Sequence, residues 1–180
     1  MGLPQQVLSE SELREHLRVE DHEERDYLRS IAVAAREHAE HYTGALFGER
    51  EVTFTLDQFQ VINFLDYGVH PVNEVMSITY IDKDGQQQSQ LDYYLAHSVK
   101  QGSQLMPVYG GAFPEVQGGY GSVEVKVKAG HTNIPEAVRA ALKMIAANLY
   151  EHREDESTLR LQNVGLSSKA LLNQYKVQVF

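Results

Sequence analysis

Cysteine and tryptophan are both absent from the 180 residues. Without a thiol there are no disulfides, no thiolate nucleophile and no zinc–thiolate site. The chain must hold itself together by burial alone, which its length allows. The lack of disulfide chemistry fits a reducing cytoplasm. No apolar run reaches the ~18 residues that a membrane span needs. Residues 1–6 carry neither a basic stretch nor an apolar one, so no signal peptide is expected there. Gln6 stands where an N-myristoylation site needs Ser or Thr. Basic residues are also in short supply: 16 Lys and Arg face 25 Asp and Glu, for a net charge of -9. The cations are scattered along the chain, whereas phosphate contacts need them clustered, so a simple nucleic-acid binder is not expected. Internal repeats and low-complexity segments are missing too.

What is present falls into three regions of different period. From about Leu8 to Gly44 the pattern is helical. Ser9 and Glu12 form a capping box, and Leu8 with Leu13 has the spacing of a hydrophobic staple. Asp21 with Glu24 repeats the box and opens a longer helix. Its apolar face runs Tyr27/Leu28, Ile31, Ala34/Ala35, His38/Ala39 and Tyr42. Thr43-Gly44 reads as its stop, with Gly44 free to take a left-handed cap. From about Glu51 to Gly130 the period is two. Strands are expected at Val52–Leu56, Val61–Leu65 and Val75–Ile81, with the Asp82–Gly85 turn folding the last one back. Leu91–Ala96 and Gln104–Val108 are weaker candidates. Val123, Val125 and Val127 alternate with Glu124, Lys126 and Lys128, as in a half-buried strand. Between them, Tyr109–Pro114 and Gly118–Gly121 read as loop.

The third region returns to helix. Pro135 sits in a first turn, and Val138, Leu142, Ile145 and Leu149 follow at helical steps. Charged Glu151–Glu156 marks the exit. A short helix over about Ser167–Gln174 and an alternating, strand-like Tyr175–Phe180 close the chain. The fold class is α+β: a small α-helical core, in which N-terminal helices pack on a helix near residues 135–152, with an inserted antiparallel β lobe and an extended C-terminal tail. The divisions are 1–50, N-terminal helices; 51–130, β-rich lobe; 131–156, core helix; and 157–180, short helix and tail.

Chemistry-bearing patterns are weak. His38 and His41, beside Glu37 and Glu40, suggest a metal at first sight. A zincin helix needs two His four apart, and a di-iron bundle needs Glu three before His, where Ala35 stands. Ser98, Ser103 and Ser122 lie in or beside loops, without a nucleophile elbow or distinctive neighbours. Asp82 and Asp84 are good turn formers. The glycine loop lacks the lysine and following helix of a phosphate cradle. Its Tyr109, Phe113 and Tyr120 suit a protein interface instead. At the C-terminus, Val177, Val179 and Phe180 either add a strand to this protein's own sheet or add one to a partner. No catalytic, cofactor or metal residue is assigned.

Several stretches taken in order resemble the head–tail connector (adaptor) proteins of tailed bacteriophages. The first is Leu13-x-x-x-Leu17-Arg18-Val19-Glu20-Asp21, then Tyr27-Leu28, Ala34-Ala35-Arg36-Glu37 and Tyr42-Thr43-Gly44. The second is Pro71-Val72-x-x-Val75, Ile78-x-Tyr80 and the Asp82–Gly85 turn. The third is Val123-x-Val125-x-Val127-x-Ala129-Gly130, Ile134-Pro135-Glu136-Ala137-Val138 and Leu149-Tyr150-Glu151-His152-Arg153-Glu154. Two departures concern the C-terminal contacts: His131 stands where an aromatic often follows, and the stretch around Val164-Gly165 lacks a proline. The resemblance implies a virion neck protein, assembled in the host cytoplasm, with no enzyme activity and no cofactor. It implies a ring, usually twelvefold, beneath the portal, with a stopper or tail-completion protein docking next and genomic DNA passing through the lumen. Twelve copies would carry about -108, twelve times -9, which repels phosphate. Leu171, Leu172, Tyr175, Val177, Val179 and Phe180 are the expected portal contact. The competing readings are a stopper or tail-terminator-like protein, a small metal-dependent hydrolase using His38 and His41, and a cytoplasmic regulatory domain.

Overall fold

A computed structural model describes residues 7–20, 24–89, 92–98, 102–152 and 165–177. The fold is α+β, and its described residues form two compact units. One is helical and combines residues 7–48 with 132–177. The other is built of β-strands and spans 49–131.

The helical unit contains α1 (Glu10–Leu17), α2 (Arg25–Thr43), α3 (Glu136–Glu151) and α4 (Leu166–Asn173). The Ser9 Oγ accepts the Glu12 amide at 3.2 Å, and the Glu12 carboxylate accepts the Ser9 amide at 2.9 Å. This reciprocal cap satisfies two donors that a helix start leaves orphaned. The stapling residues Leu8 and Leu13 are both buried. Among the described residues no side chain caps the start of α2: Asp21 lies outside them, and the Glu24 carboxylate accepts the Tyr150 hydroxyl at 2.6 Å. α2 ends where the sequence places its stop, with Gly44 at φ 72 and its amide on the Glu40 carbonyl at 2.8 Å.

α2 buries Leu28, Ile31, Ala32, Ala35 and Ala39. Ala32 lies on this face, while Ala34, expected there, is exposed. α3 answers with Val138, Ala141, Leu142, Ile145 and Ala146. Its alanines cost no side-chain entropy and let the helices approach closely. Phe47 and Leu172 complete one hydrophobic cluster with them. Each large side chain buried here contributes about 1.5–3 kcal/mol. The Arg139 guanidinium ties α3 to the chain entering α1, donating to the Val7 carbonyl at 3.0 Å and to Glu12 at 2.9 Å.

The β unit contains β1 (Arg50–Leu56), β2 (Ile62–Asn63), β3 (Val72–Ile81), β4 (Gln87–Gln88), β5 (Tyr93–Ser98), β6 (Gly102–Pro107) and β7 (Val123–Ala129). Two antiparallel sheets result, ordered β1-β7-β3-β4 and β2-β6-β5. β7 is a central strand, and its alternation carries through: Val123, Val125 and Val127 are fully buried. On the other face, Lys126 and Lys128 pair with Glu51 at 2.7 Å and Glu49 at 2.9 Å. The Asp82 carboxylate accepts the Asp84 and Gln86 amides and shapes the β3–β4 turn.

The strand expected over Val61–Leu65 is a correction. Only Ile62–Asn63 pair, and Phe64–Tyr67 form a 3₁₀ turn. The Asn63 Oδ1 accepts the Leu65 amide at 3.3 Å, a local bond that diverts the backbone from the ladder. Phe64 is thereby fully buried, edge-on to Phe54 at 5.9 Å, while Tyr67 stacks on Phe54 at 4.7 Å. Gly102 opens β6 because only glycine fits: a Cβ there would lie 2.6 Å from the Leu65 Cγ. The strand-like alternation of Tyr175–Phe180 is not realised in its described part. Residues 175–177 form no strand, and 178–180 lie outside the described residues.

Candidate functional site

The residues expected at a partner interface separate into two groups. Leu172 is fully buried, and Leu171, Tyr175 and Val177 are half-buried against the same helical core. The Val177 amide donates to the Thr43 carbonyl at 2.7 Å. These four side chains therefore serve the core of their own unit, and only their outer edges are left for a partner. Val179 and Phe180 lie outside the described residues.

The loop joining β6 to β7 is anchored at several points. Phe113 stacks on Phe59 at 5.0 Å, and Phe59 meets the Tyr80 ring at 5.2 Å. The Gln117 amide reaches the Ile81 carbonyl at 3.1 Å, and Lys83 pairs with Glu115 at 3.3 Å. The Gly121 amide donates to the Asp57 carboxylate at 3.1 Å. Phe113 is thus a structural anchor. Tyr109 and Tyr120, by contrast, are fully exposed on a loop that is held in place. Their backbone is ordered before any partner arrives, leaving only the side chains to be fixed on binding.

The catalytic alternatives gain no constellation. His41 is exposed and His38 half-buried. Burial pushes His38 below the usual histidine value, and charges on His41 and Lys169 push the same way. Among the described residues no group of three or more His, Asp or Glu is arranged to hold a metal ion. Ser103 is a correction: it has a distinctive neighbour. It lies in β6, opposite His97 in the ladder, with its Oγ 3.0 Å from the His97 Nδ1. Ser103 is buried, and no described carboxylate hydrogen-bonds His97, so the pair lacks the access and the orienting acid of a nucleophilic dyad. Ser122 is also buried, donating to the Gly119 carbonyl at 2.9 Å. The Asp82 carboxyl is held below its ordinary value, first by the Gln88 amide and then by the turn amides.

One arrangement escaped the reading of cations as scattered. A cleft of about 850 Å³ is lined by Arg14, Arg18, Arg25 and Arg29, with Glu10, Glu15 and Glu20 among them. Glu10 lies near three of these arginines, at 2.7 Å from Arg14, 3.3 Å from Arg25 and 3.7 Å from Arg29. Arg18 is exposed and has no ion pair among the described residues. It caps α1 in the left-handed conformation, at φ 56, the one non-glycine residue with positive φ among those described. A side chain there costs about 1–2 kcal/mol that glycine would not. The sequence signal was the spacing: 14, 18, 25 and 29 fall in steps of four, seven and four.

His70 and His131 are half-buried titratable groups of the β unit. Burial holds both below the ordinary 6.5, and for His70 a charge on His131 adds repulsion. The unfolded chain therefore takes up these protons first. The contribution of these two groups to stability is fully present above pH 6.5 and is lost as pH falls below it. Melting curves from pH 7.5 to about 5 are expected to show this loss, and His70→Gln should lessen it. An identical pH profile for wild type and variant would remove His70 from the account.

No family model matches the chain, and no curated protein sequence matches it. Solved structures do. A chain from the neck of an empty gene transfer agent (GTA) particle, computed with C6 symmetry, is similar at 20% identity and a TM-score of 0.72, over 100% of this chain and 96% of that one. A chain from the virion of a native GTA particle matches at 19% identity and 0.72, over 100% and 94%. A chain from the neck of a native GTA particle computed with C12 symmetry matches at 20% and 0.65, over 100% and 96%. At this identity the likeness establishes a shared fold, end to end.

Proposed function

We propose that the chain is a structural subunit of the neck of a phage-like particle. Within the neck, it is the connector (adaptor) that forms a ring under the portal, continues the DNA channel and docks the next neck or tail component. The observation that carries this reading is the end-to-end fold match to chains of GTA necks and virions, over 100% of this chain. That one of those necks was computed with C12 symmetry favours a twelvefold ring. The role places the chain in the virion and needs no catalytic group.

A second reading is a stopper or tail-completion protein, and the neck computed with C6 symmetry favours it. Symmetry and partner separate the two. Purified chain mixed with portal is expected to give twelvefold rings by particle averaging, with the mass of twelve added chains. Sixfold rings that form without portal would move the assignment to the stopper. Absence of any ring, with or without portal, would refute both. The rings are also expected not to retain duplex DNA at physiological salt, given a subunit charge of -9.

A further inference from the structure

Rotational rings closed by one repeated contact need two different, complementary surfaces on each chain. The structure offers such a pair. On the β unit, the anchored loop presents the fully exposed Tyr120 ring. The exposed Asp57 carboxylate accepts the amide of Gly121, the residue after Tyr120, at 3.1 Å. An exposed ring and a carboxylate held at the same turn of chain together suit a guanidinium, which can stack on the one and bond the other. On the helical unit, Arg18 is such a guanidinium: exposed, without an ion pair among the described residues, held on a left-handed cap at the edge of a cleft lined by arginines and glutamates. Its conformation is costly where glycine would be relaxed, as is common at residues kept for contact. Tyrosine and arginine are also the side chains most often found at the energetic centre of interfaces.

We infer that neighbouring copies of this chain join head to tail, with Arg18 of one copy seated against Tyr120 and Asp57 of the next. This rests on the ring reading above. Duplex DNA is a poorer occupant of the tyrosine loop, because Lys83 is paired with Glu115 and Asp57 faces outward. A phosphate approaching there would meet carboxylate.

The absence of cysteine gives a clean test. Arg18→Cys and Tyr120→Cys are combined in one chain, assembled with portal, and treated with a short bis-maleimide. A disulfide is not used, because the two long side chains hold their Cα atoms farther apart than the ~7 Å it tolerates. A ladder of covalent oligomers is expected on denaturing gels, and neither single variant should go beyond a dimer. Rings that assemble without the ladder overturn the contact and hand Arg18 to another neck component. Should the double variant fold, by its melting curve, yet form no rings, three further variants decide. Arg18→Lys and Tyr120→Phe keep a cation over a ring and are expected to assemble; Arg18→Glu is expected to lose assembly at least tenfold. Rings from Arg18→Glu at wild-type yield overturn the contact. If wild-type chain and portal give no ring, the ring reading itself has failed, and the contact fails with it.

Discussion

Deleting Gln178, Val179 and Phe180 is expected to abolish co-purification with portal while leaving the melting temperature of the chain unchanged. The position of the cut matters. Truncation after Gln174 would also remove Tyr175 and Val177, which pack on the helical core, and the 2.7 Å bond from the Val177 amide to the Thr43 carbonyl. Such a chain would lose stability and binding together and decide nothing. The shorter deletion spares every tail residue known to serve the core. Burying a Val and a Phe against a partner contributes roughly 3–6 kcal/mol between them. Their loss weakens binding by about 10²–10⁴-fold. Undiminished co-purification of the shortened chain would take the tail out of the portal contact.

Leu172→Ala tests the opposite half of the same segment. Leu172 is fully buried within the cluster shared by α2, α3 and α4. Truncating it removes transfer energy and leaves a cavity, at a cost of about 2–5 kcal/mol. For a chain of this size, a loss near 3 kcal/mol lowers the melting temperature by roughly 6–12 °C. Calorimetry or circular dichroism reads this on the free protein, without portal. A melting temperature within a degree of wild type would show that α4 does not contribute to the core. The two variants thus separate what the tail does for its own fold from what it offers a partner.

That separation was not legible in the sequence. Leu171, Leu172, Tyr175, Val177, Val179 and Phe180 share apolar character near a terminus, and composition cannot tell a side chain spent on its own core from one kept for a neighbour. Signals carried by local spacing fared better. Ser9 with Glu12, Gly44 after α2, and the valines of β7 each satisfy their neighbours within a few residues, so period and capping chemistry sufficed. The run Val61–Leu65 failed because five apolar-rich residues fit a strand and a turn equally. Its outcome was set by the Asn63 side chain and the burial of Phe64. The Arg18 cleft and the Ser103–His97 contact are products of tertiary placement. Neither has a local signature beyond a helical spacing of arginines in one case and a cross-strand register in the other.

The bond between Val177 and Thr43 has a mechanical meaning as well. Were the chain pulled from its C-terminal side, tension reaching Val177 would be handed to the end of α2 through the Thr43 carbonyl. The covalent path between those two residues runs through the whole β unit, α3 and α4. The hydrogen bond closes a shortcut across that path. As long as it holds, Val177 and the end of α2 stay joined without relying on the covalent path through the β strands.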